Sequence, residues 1–230
     1  MRRRLIVLRP EPGNAATCAA IRAGGVEAVA LPLFEVRPVP WEAPDPAGFD
    51  ALVLTSANAV RHAGPQLVRY GGLPVVTVGA ATARAAEAAG LAVAAMGEGD
   101  AADLPPMLAS IGAERPLHLT GRDHRGLGLG ETVVVYASEP DDPAPGALAV
   151  LEGSTALIHS ARAGARLATL ASAAGLGRAT IAVAAISPAA LRAAGEGWRA
   201  ATAAPVPRDD ALIAAALSID RPDGGRDKVP

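Results

Sequence analysis

Hydroxyl, amide and guanidinium side chains follow several apolar segments of this sequence, at the points where those segments end. Thr55 and Ser56 follow one such segment, Ser160 follows another, and Arg9 comes directly after the run 5–8. Side chains of these types, together with free backbone N–H groups, bind anionic groups such as carboxylates. The candidate ligand-binding residues are Arg9, Thr55, Ser56, Asn58, Gly79, Thr82, Gly121, Arg122, Ser160, Arg162 and Ser187.

Most of these residues also have a purely structural interpretation. A serine after a strand, such as Ser56 or Ser160, more often caps the next helix than binds a ligand. Thr82 is expected one turn into a helix, where its hydroxyl can bond the preceding turn. Arginines in loops and at helix starts are commonly solvated. Arg9 is harder to explain in this way, because a charge directly after a buried strand needs an anionic partner.

Tyr136 is the candidate catalytic residue. It ends the apolar run 132–135 and precedes a domain crossing, so its phenol is expected at the mouth of a cleft. A phenol carries its proton at neutral pH and can donate it without serving as a ready base. The alternative is an amphipathic tyrosine that covers the core. Tyr70, in a polar segment, is the weaker candidate.

Composition argues against several classes of function. The only lysine of the 230 residues is Lys228 in the polar tail, which leaves none for Schiff-base or P-loop chemistry in the folded body. The single Cys18 is expected to be buried, and the four histidines show no metal-ligand spacing, so no metal is expected. A net charge of −2 and 3% aromatic residues argue against a nucleic-acid partner.

The beginning of the sequence carries no export or membrane signal. Residues 1–4 are basic, but the apolar run 5–8 is far too short for a signal peptide and stops at Arg9. No other segment is long and charge-free enough to span a bilayer. We therefore expect a cytoplasmic protein that does not bind membranes.

Apolar runs alternate with helix-forming segments along the chain, which predicts parallel sheets. Strands are predicted at residues 5–8, 26–32, 51–54, 75–78, 117–120 and 132–136, and helices at about 14–23, from 57 to 62, and at 80–89. In open parallel sheets, ligands bind beyond the carboxyl ends of the strands, which is where the candidate residues are expected.

Two proline-rich stretches divide the chain. Residues 34–46 contain four prolines, which indicates an extended stretch unlike a packed element, and residues 139–145 are again rich in proline and aspartate. Both stretches are interpreted as crossings between domains. The prediction is an α/β fold of two similar domains, each a parallel sheet flanked by helices, joined by two adjacent linkers with the ligand cleft between them. Domain one comprises residues 1–36 and 138–220, the inserted domain two residues 41–134, and residues 221–230 a disordered tail.

The two predicted domains share short repeats. Residues 54–59 (LTSANA) match residues 158–163 (IHSARA), each after an apolar strand. Residues 77–85 resemble 185–193, and residues 100–104 align with 208–212 at the same offset of 108. We infer that the two domains have one ancestry.

Six short segments occur in a set order: 7–10 (VLRP), 31–36 (LPLFEV), 50–59 (DALVLTSANA), 76–83 (VTVGAATA), 134–136 (VVY) and 158–161 (IHSA). Taken together, they resemble the uroporphyrinogen-III synthase family over residues 5 to about 217. Each segment is short and weakly specific. Their order and spacing carry the resemblance.

The resemblance implies an enzyme that cyclises hydroxymethylbilane to uroporphyrinogen III without a cofactor. The reaction loses water and inverts the terminal ring through a spiro intermediate. The resemblance also implies that Tyr136 assists departure of the hydroxyl and that the backbone of Gly79 closely approaches the ligand. The hydroxyls that it implies in the cleft are those of Thr55, Ser56, Thr82 and Ser160.

The chain departs from the family pattern at three points. Ala190 stands where the family has a second threonine, and Ser187 stands where it has a glycine. Residues 121–130 are too few for the helix that the family carries there. A non-catalytic or regulatory tetrapyrrole-binding protein of the same fold is therefore the alternative. Four residues favour the enzyme: Tyr136, Thr82, Ser56 and Ser160.

Two further classes are disfavoured. An exported solute-binding protein would need a signal peptide, and a nucleotide-dependent enzyme would need a P-loop or dinucleotide fingerprint. The expected partner is the small-molecule substrate hydroxymethylbilane, and the chain is expected to be a monomer.

Overall fold

The structure is a computed structural model that describes residues 4–219, except for 98–102, 125, 127, 129 and 145. The chain divides into two compact units: unit one comprises residues 1–35 and 140–230, and unit two comprises residues 36–139. The expected tail at 221–230 and most of the repeat arm at 100–104 lie outside the described residues.

The described residues form eleven strands and seven α-helices. The strands are β1 (Arg4–Val7), β2 (Glu27–Ala30), β3 (Phe34–Pro38), β4 (Ala51–Leu54), β5 (Val75–Val78), β6 (Val93–Gly97), β7 (Pro116–Gly121), β8 (Glu131–Pro140), β9 (Thr155–Ile158), β10 (Ala182–Ala185) and β11 (Ala200–Ala203). The helices are α1 (Gly13–Ala23), α2 (Ala57–His62), α3 (Ala80–Ala88), α4 (Leu104–Ser110), α5 (Ala161–Ala173), α6 (Pro188–Ala194) and α7 (Asp209–Ser218). Within the described ranges, no helix is long and apolar enough to cross a bilayer.

Unit one is built on a five-stranded sheet in the order β11-β10-β9-β1-β2, in which every neighbouring pair is parallel. Leu5 and Val7 pack in one core layer with Ile21 of α1, while Ile6 packs in the other layer with Leu167 of α5. Side chains alternate across a strand, so β1 supplies both layers. This is why its residues are apolar without alternation in the sequence.

Unit two is built on a six-stranded sheet in the order β3-β8-β7-β4-β5-β6, and the pairs from β8 to β6 are parallel. Leu52 and Leu54 pack in one core layer, whereas Ala51 and Val53 pack in the other with Leu104 of α4. The described residues between β7 and β8 form no helix.

The two sheets share a strand order. In unit one β9 lies between β1 and β10, and in unit two β4 lies between β7 and β5. Helix α5 follows β9 as α2 follows β4. The predicted α/β fold is confirmed, with two mainly parallel sheets flanked by helices.

The proline-rich stretch 34–46 contains a packed strand, so the prediction that it is wholly unpacked was wrong. Phe34–Pro38 forms β3 at the edge of the six-stranded sheet, next to β8, and β8 itself extends beyond the predicted 132–136 to Pro140. Proline is tolerated in an edge strand because one side of that strand has no ladder partner. Strands β6 and β11 and helix α4 have no counterpart in the sequence prediction.

Cys18 and Tyr70 are both core residues. Cys18 is buried as predicted, and this burial raises the pKa of its thiol. Tyr70 ends a largely exposed segment, residues 64–70, but it is itself fully buried, and its phenol donates to the carbonyl oxygen of Pro44 at 2.9 Å. Its ring stacks on Trp41 with the centroids 6.3 Å apart. Tyr70 thus holds the part of the proline-rich segment around Trp41 and Pro44 against the core of unit two.

Candidate active site

The carboxyl end of the unit-two sheet carries most of the candidate residues. Strands β4, β5 and β7 are parallel, so their carboxyl ends lie at one edge, which we call the unit-two edge. Thr55 and Ser56 follow β4, Gly79 follows β5, and Gly121 ends β7. Helices α2 and α3 begin there, and the first backbone N–H groups of a helix have no partner in the preceding turn. Hydroxyl and backbone donors are therefore gathered at this edge.

The Thr55 hydroxyl is bonded to a buried histidine of the neighbouring strand. Thr55 Oγ1 lies 3.1 Å from Nε2 of His118, which is part of β7. Burial, reinforced by the charge of the nearby His124, lowers the pKa of His118 to about 4. The His118 ring is therefore neutral at neutral pH. His124 is held in turn by a 3.0 Å hydrogen bond between its Nδ1 and the carbonyl oxygen of Gly121.

Tyr136 lies across Gly121. The two residues are register partners on β7 and β8, after a shift that follows Thr120. A Cβ on Gly121 would lie 2.5 Å from Cζ and 2.9 Å from Oη of Tyr136, so the absence of a side chain makes room for the ring. The His62 ring of α2 lies 6.2 Å from the Tyr136 ring, measured between centroids. Burial and the charge of Arg61 lower the pKa of His62, which leaves an uncharged ring beside the phenol at neutral pH.

His62 also lines an open cavity of about 400 Å³ in unit two. Pro40, Trp41 and Gln66 form other parts of its wall. Small-molecule sites commonly enclose about 300–1,000 Å³. The cavity is therefore large enough to receive part of a ligand on one side of His62.

Ser56, Ser160 and Ser187 are helix N-caps. Their Oγ atoms accept hydrogen bonds from backbone N–H groups two or three residues later, at 3.2, 3.1 and 3.3 Å respectively. The structural interpretation of these serines therefore applies. The bond uses only an oxygen lone pair, so each hydroxyl still has its proton to donate to a ligand.

Gly79 and Thr82 form the turn into α3. Gly79 has φ +79°, a conformation that favours glycine, and its N–H donates to the carbonyl oxygen of Gly97 at 2.8 Å. Thr82 is buried, and its N–H donates to the carbonyl oxygen of Gly79 at 3.0 Å. The bare backbone at Gly79 leaves room for close approach by a ligand.

Asn58 lies on α2, where its Oδ1 accepts a 3.0 Å hydrogen bond from Arg61.

Arg122 has an anionic partner. It forms an exposed ion pair with Glu139, and its backbone N–H donates to the carbonyl oxygen of Tyr136 at 2.9 Å. Arg122 would have to exchange Glu139 for a substrate carboxylate. An exposed pair of this kind is worth about 0–1 kcal/mol, so the exchange is not costly.

Arg9 belongs to a polar cluster at the carboxyl ends of β1 and β9 in unit one. Asp209 accepts a 2.8 Å hydrogen bond from the Thr17 hydroxyl, and its Oδ1 lies 2.8 Å from His159 Nε2 and 3.7 Å from Arg9 Nη1. Burial raises the pKa of Asp209, but the hydrogen bonds from His159 and Thr17, with the charges of His159 and Arg9, lower it overall. Arg9 thus has the anionic partner that its position required.

The loop after β1 is shaped around the Arg9 side chain. A Cβ on Gly13 would lie 2.6 Å from Cζ of Arg9, so the guanidinium rests against the start of α1. Asn14 is fully buried and donates to the carbonyl oxygens of Val7 at 2.9 Å and of Arg9 at 2.7 Å. These bonds hold the backbone that presents the guanidinium.

Packing explains two further positions on α5 and α6. Arg162 stacks on Phe34, with Cζ 4.8 Å from the ring centroid, as in a cation–π contact. Ala190, which departs from the family pattern, is buried, and a Cβ on Gly164 would lie 2.6 Å from its carbonyl oxygen. The two helices therefore approach closely here, which suits a small residue at position 190.

Sequence reasoning did not identify four residues of this region. They are His62 and His118 in unit two, and His159 and Asp209 in the polar cluster of unit one. His118 lies inside an apolar strand, and His62 lies at the end of a short helix, so neither stood out. His159 had a usable signal, because it occupies the position of Thr55 in the repeat. Among the described residues, no group of three or more acidic, histidine or cysteine side chains could hold a metal ion.

The fold and its polar edges define a two-unit α/β protein of mainly parallel sheets. Residues 15–214 match the family model of the uroporphyrinogen-III synthase HemD, so the chain belongs to the uroporphyrinogen-III synthase family. The family places it among the cyclising enzymes of tetrapyrrole biosynthesis.

A solved structure agrees with this fold. The chain is similar to the uroporphyrinogen-III synthetase of Helicobacter pylori 26695, with 19% identity, a TM-score of 0.67 and coverage of 95% of this chain and 99% of that one. It also matches a uroporphyrinogen III synthase of Thermus thermophilus at 15% identity, a TM-score of 0.44 and coverage of 95% and 100%. No curated protein sequence matches the chain.

Proposed function

We propose that this chain converts hydroxymethylbilane to uroporphyrinogen III, with loss of water and inversion of the terminal ring, without a cofactor. The observation that carries the proposal is the Tyr136 phenol, which lies across Gly121 and beside the uncharged His62. Thr55 and Ser56, which carry hydroxyls, follow β4, the strand next to β7. A proton donor and groups for binding anions are thus available together.

Substrate binding accounts for most of the proposed catalysis. The bilane carries acetate and propionate arms, and their carboxylates suit hydroxyls, free helix N–H groups and Arg9. Holding the folded bilane with its ends together removes the entropy cost of ring closure from the reaction. The proposed binding residues are Arg9, Thr55, Ser56, Asn58, Gly79, Thr82, Gly121, Arg122, Ser160, Arg162 and Ser187.

Tyr136 acts in the first bond-breaking step. The C–O bond of the hydroxymethyl group breaks, its electron pair leaves with the oxygen, and the phenol proton converts that oxygen to water. The adjacent pyrrole nitrogen stabilises the carbon cation. The substituted carbon of the terminal pyrrole attacks it to give the spiro intermediate. The bond between that ring carbon and its original methylene bridge then breaks, which leaves a second pyrrole-stabilised methylene cation. The unsubstituted α-carbon of the same ring attacks this cation, so the ring is inverted, and loss of the proton from that carbon, which can return to the phenolate, restores aromaticity.

The product isomer tests this function directly. Freshly generated hydroxymethylbilane is incubated with the chain, oxidised to porphyrins and separated by chromatography. We expect type III in excess over the type I isomer that forms spontaneously. A mixture indistinguishable from the protein-free control would instead support the alternative, a non-catalytic or regulatory tetrapyrrole-binding protein of the same fold.

The proposal treats the chain as a cytoplasmic monomer whose partner is this small molecule, with no role for nucleic acid or membranes. The net charge of −2 supports it, because nucleic acids and anionic membrane surfaces attract basic proteins. Sedimentation of the purified chain tests the monomer, and a dimer would contradict it.

A further inference from the structure

The hydrogen bond between Thr55 and His118 joins an edge residue to the interior of unit two. Thr55 is half-buried at the end of β4, whereas His118 is 1% exposed within β7. Their 3.1 Å contact links Oγ1 of the threonine to Nε2 of the imidazole. Either atom could be the donor, because a neutral imidazole has one N–H and one lone pair.

The other ring nitrogen decides between these two arrangements. Nδ1 of His118 is buried, and within the described part of the chain it has no hydrogen-bond partner. A buried N–H without an acceptor is rarer in proteins than an unused lone pair. The proton therefore belongs on Nε2, where the hydroxyl oxygen of Thr55 can accept it. Burial lowers the pKa of this ring to about 4, so a second proton is absent at neutral pH.

We propose that His118 is a positioning residue, whose Nε2–H donates to Thr55 Oγ1 and leaves the Thr55 hydroxyl proton free to bind a substrate carboxylate. This inference rests on the proposed function for the identity of the ligand. In the opposite arrangement, the Thr55 hydroxyl would donate its hydrogen bond to Nε2 of His118. It would then present oxygen lone pairs to an anion, which is repulsive. A threonine hydroxyl alone can either donate or accept a hydrogen bond. The bond from the buried imidazole fixes the Thr55 hydroxyl as a donor to the ligand.

A set of four variants tests this role through the Michaelis constant. Thr55→Val should raise KM about 10- to 100-fold, the loss expected for a hydrogen bond to a charged group. His118→Leu should raise it less, about 3- to 10-fold, because the hydroxyl can still rotate into place. His118→Gln, whose amide N–H can reach the same oxygen, should restore most of the loss. In the Thr55→Val background, His118→Leu should have no further effect on KM.

The variants have a matched control and a clear contrary result. Leu119→Val changes the next buried residue of β7 and should leave KM within about twofold, with any destabilisation seen only in a thermal melt. For all variants, kcat should change less than KM, since neither residue touches the leaving group. Additive effects of Thr55→Val and His118→Leu, or a His118→Gln variant as impaired as His118→Leu, would assign His118 a merely structural role.

The tautomer itself is measured on the resting protein. Nitrogen-15 NMR of the His118 ring at neutral pH should show a protonated Nε2 and an unprotonated Nδ1. A protonated Nδ1 would overturn the inference whatever the kinetics show. This measurement needs no substrate, so its outcome does not depend on synthase activity. A chain without that activity would contradict the proposed function, and the tautomer would still be decided by the NMR spectrum. It also decides the matter if His118→Leu fails to fold.

Discussion

The ring of Tyr136 occupies the space that a side chain at Gly121 would need: a Cβ there would lie 2.5 Å from Cζ of the tyrosine. The two residues are brought together by the register of β7 and β8, 15 residues apart in sequence. Their relationship makes Gly121 part of the site although it carries no functional group. It also means that the phenol can be moved without being removed.

Gly121→Ala should displace the Tyr136 ring and reduce kcat about as much as removing the phenol. Because Tyr136 is half-buried, its ring can swing outward, and we expect a stability loss of only about 1 kcal/mol, the lower end for overpacking. Gly72→Ala, at a position with no atom within 4 Å of the new Cβ, is the control. Steady-state kinetics and thermal melts measure the two effects. Wild-type kcat in Gly121→Ala would show that the position of the ring is unimportant.

Tyr136→Phe should slow turnover and keep type III as the main product. General acid help is worth about 10²- to 10⁴-fold, and an electron-rich pyrrole expels hydroxide readily, so the loss should be about 100-fold or less. The isomer is decided by how the folded bilane is held, which the substitution leaves alone. Rate and isomer ratio are measured together. A switch to type I would mean that Tyr136 orients the substrate, and an unchanged rate would make it a residue that only covers the core.

Arg9→Ala should raise KM about 10- to 100-fold with little change in kcat. The guanidinium meets Asp209 only at 3.7 Å and Thr17 at 3.4 Å, so most of its donors remain for a substrate carboxylate. Arg84→Ala, on the exposed side of α3, removes the same charge elsewhere and is the control. Equal KM values for the two variants would remove Arg9 from the proposed site.

Stability should fall as the pH drops from about 6.5 to about 4, and His118 should be one cause. The folded-state pKa of His118 is about 4, whereas an unfolded histidine titrates near 6.5, so the unfolded chain takes up the proton first. Within this window, the free energy of unfolding decreases as pH falls, by at most about 3 kcal/mol at 1.36 kcal/mol per pKa unit.

The comparison of wild type with His118→Phe isolates this contribution from the other groups that titrate in acid. Urea unfolding is measured for both at pH 7.5 and pH 4.5. The variant should lose about 1–3 kcal/mol less stability on acidification than the wild type. Parallel losses would show that His118 is not held neutral by the fold.

Asp209→Asn should destabilise unit one by about 1 kcal/mol at neutral pH. The carboxylate binds both Thr17 and His159, but it is 35% exposed, so solvent screens these contacts. Its pKa is lowered in the folded state, so the stabilisation is fully present above the pKa of an unfolded aspartate, about 3.9, and is lost progressively as the pH falls from there through the lower pKa of the folded state. Denaturant titration should show a smaller difference between wild type and variant at pH 3 than at pH 7. The exposed Asp210→Asn is the control, and an equal effect of both would contradict the prediction.

Local sequence determined the alternation of strands and helices and the turns that carry the site. The runs at 51–54 and 75–78 were enough to predict β4 and β5, since a strand covered on both faces is mostly apolar, and Thr77 is the one polar residue in them. For Ser56 and Ser160 the sequence left ligand binding and capping open and indicated capping as the commoner role, because a cap bonds a backbone N–H only two or three residues away. The repeat then indicated that two sheets would be built alike.

Tertiary structure alone decided which of these turns meet and what surrounds them. Thr55 and His118 are 63 residues apart, and Thr17 and Asp209 are 192 apart. No local pattern records that β7 lies beside β4 or that α7 begins beside α1. Strand order and register are set by how the core layers pack, so the imidazole behind Thr55 and the ring over Gly121 emerge only when the sheet has formed.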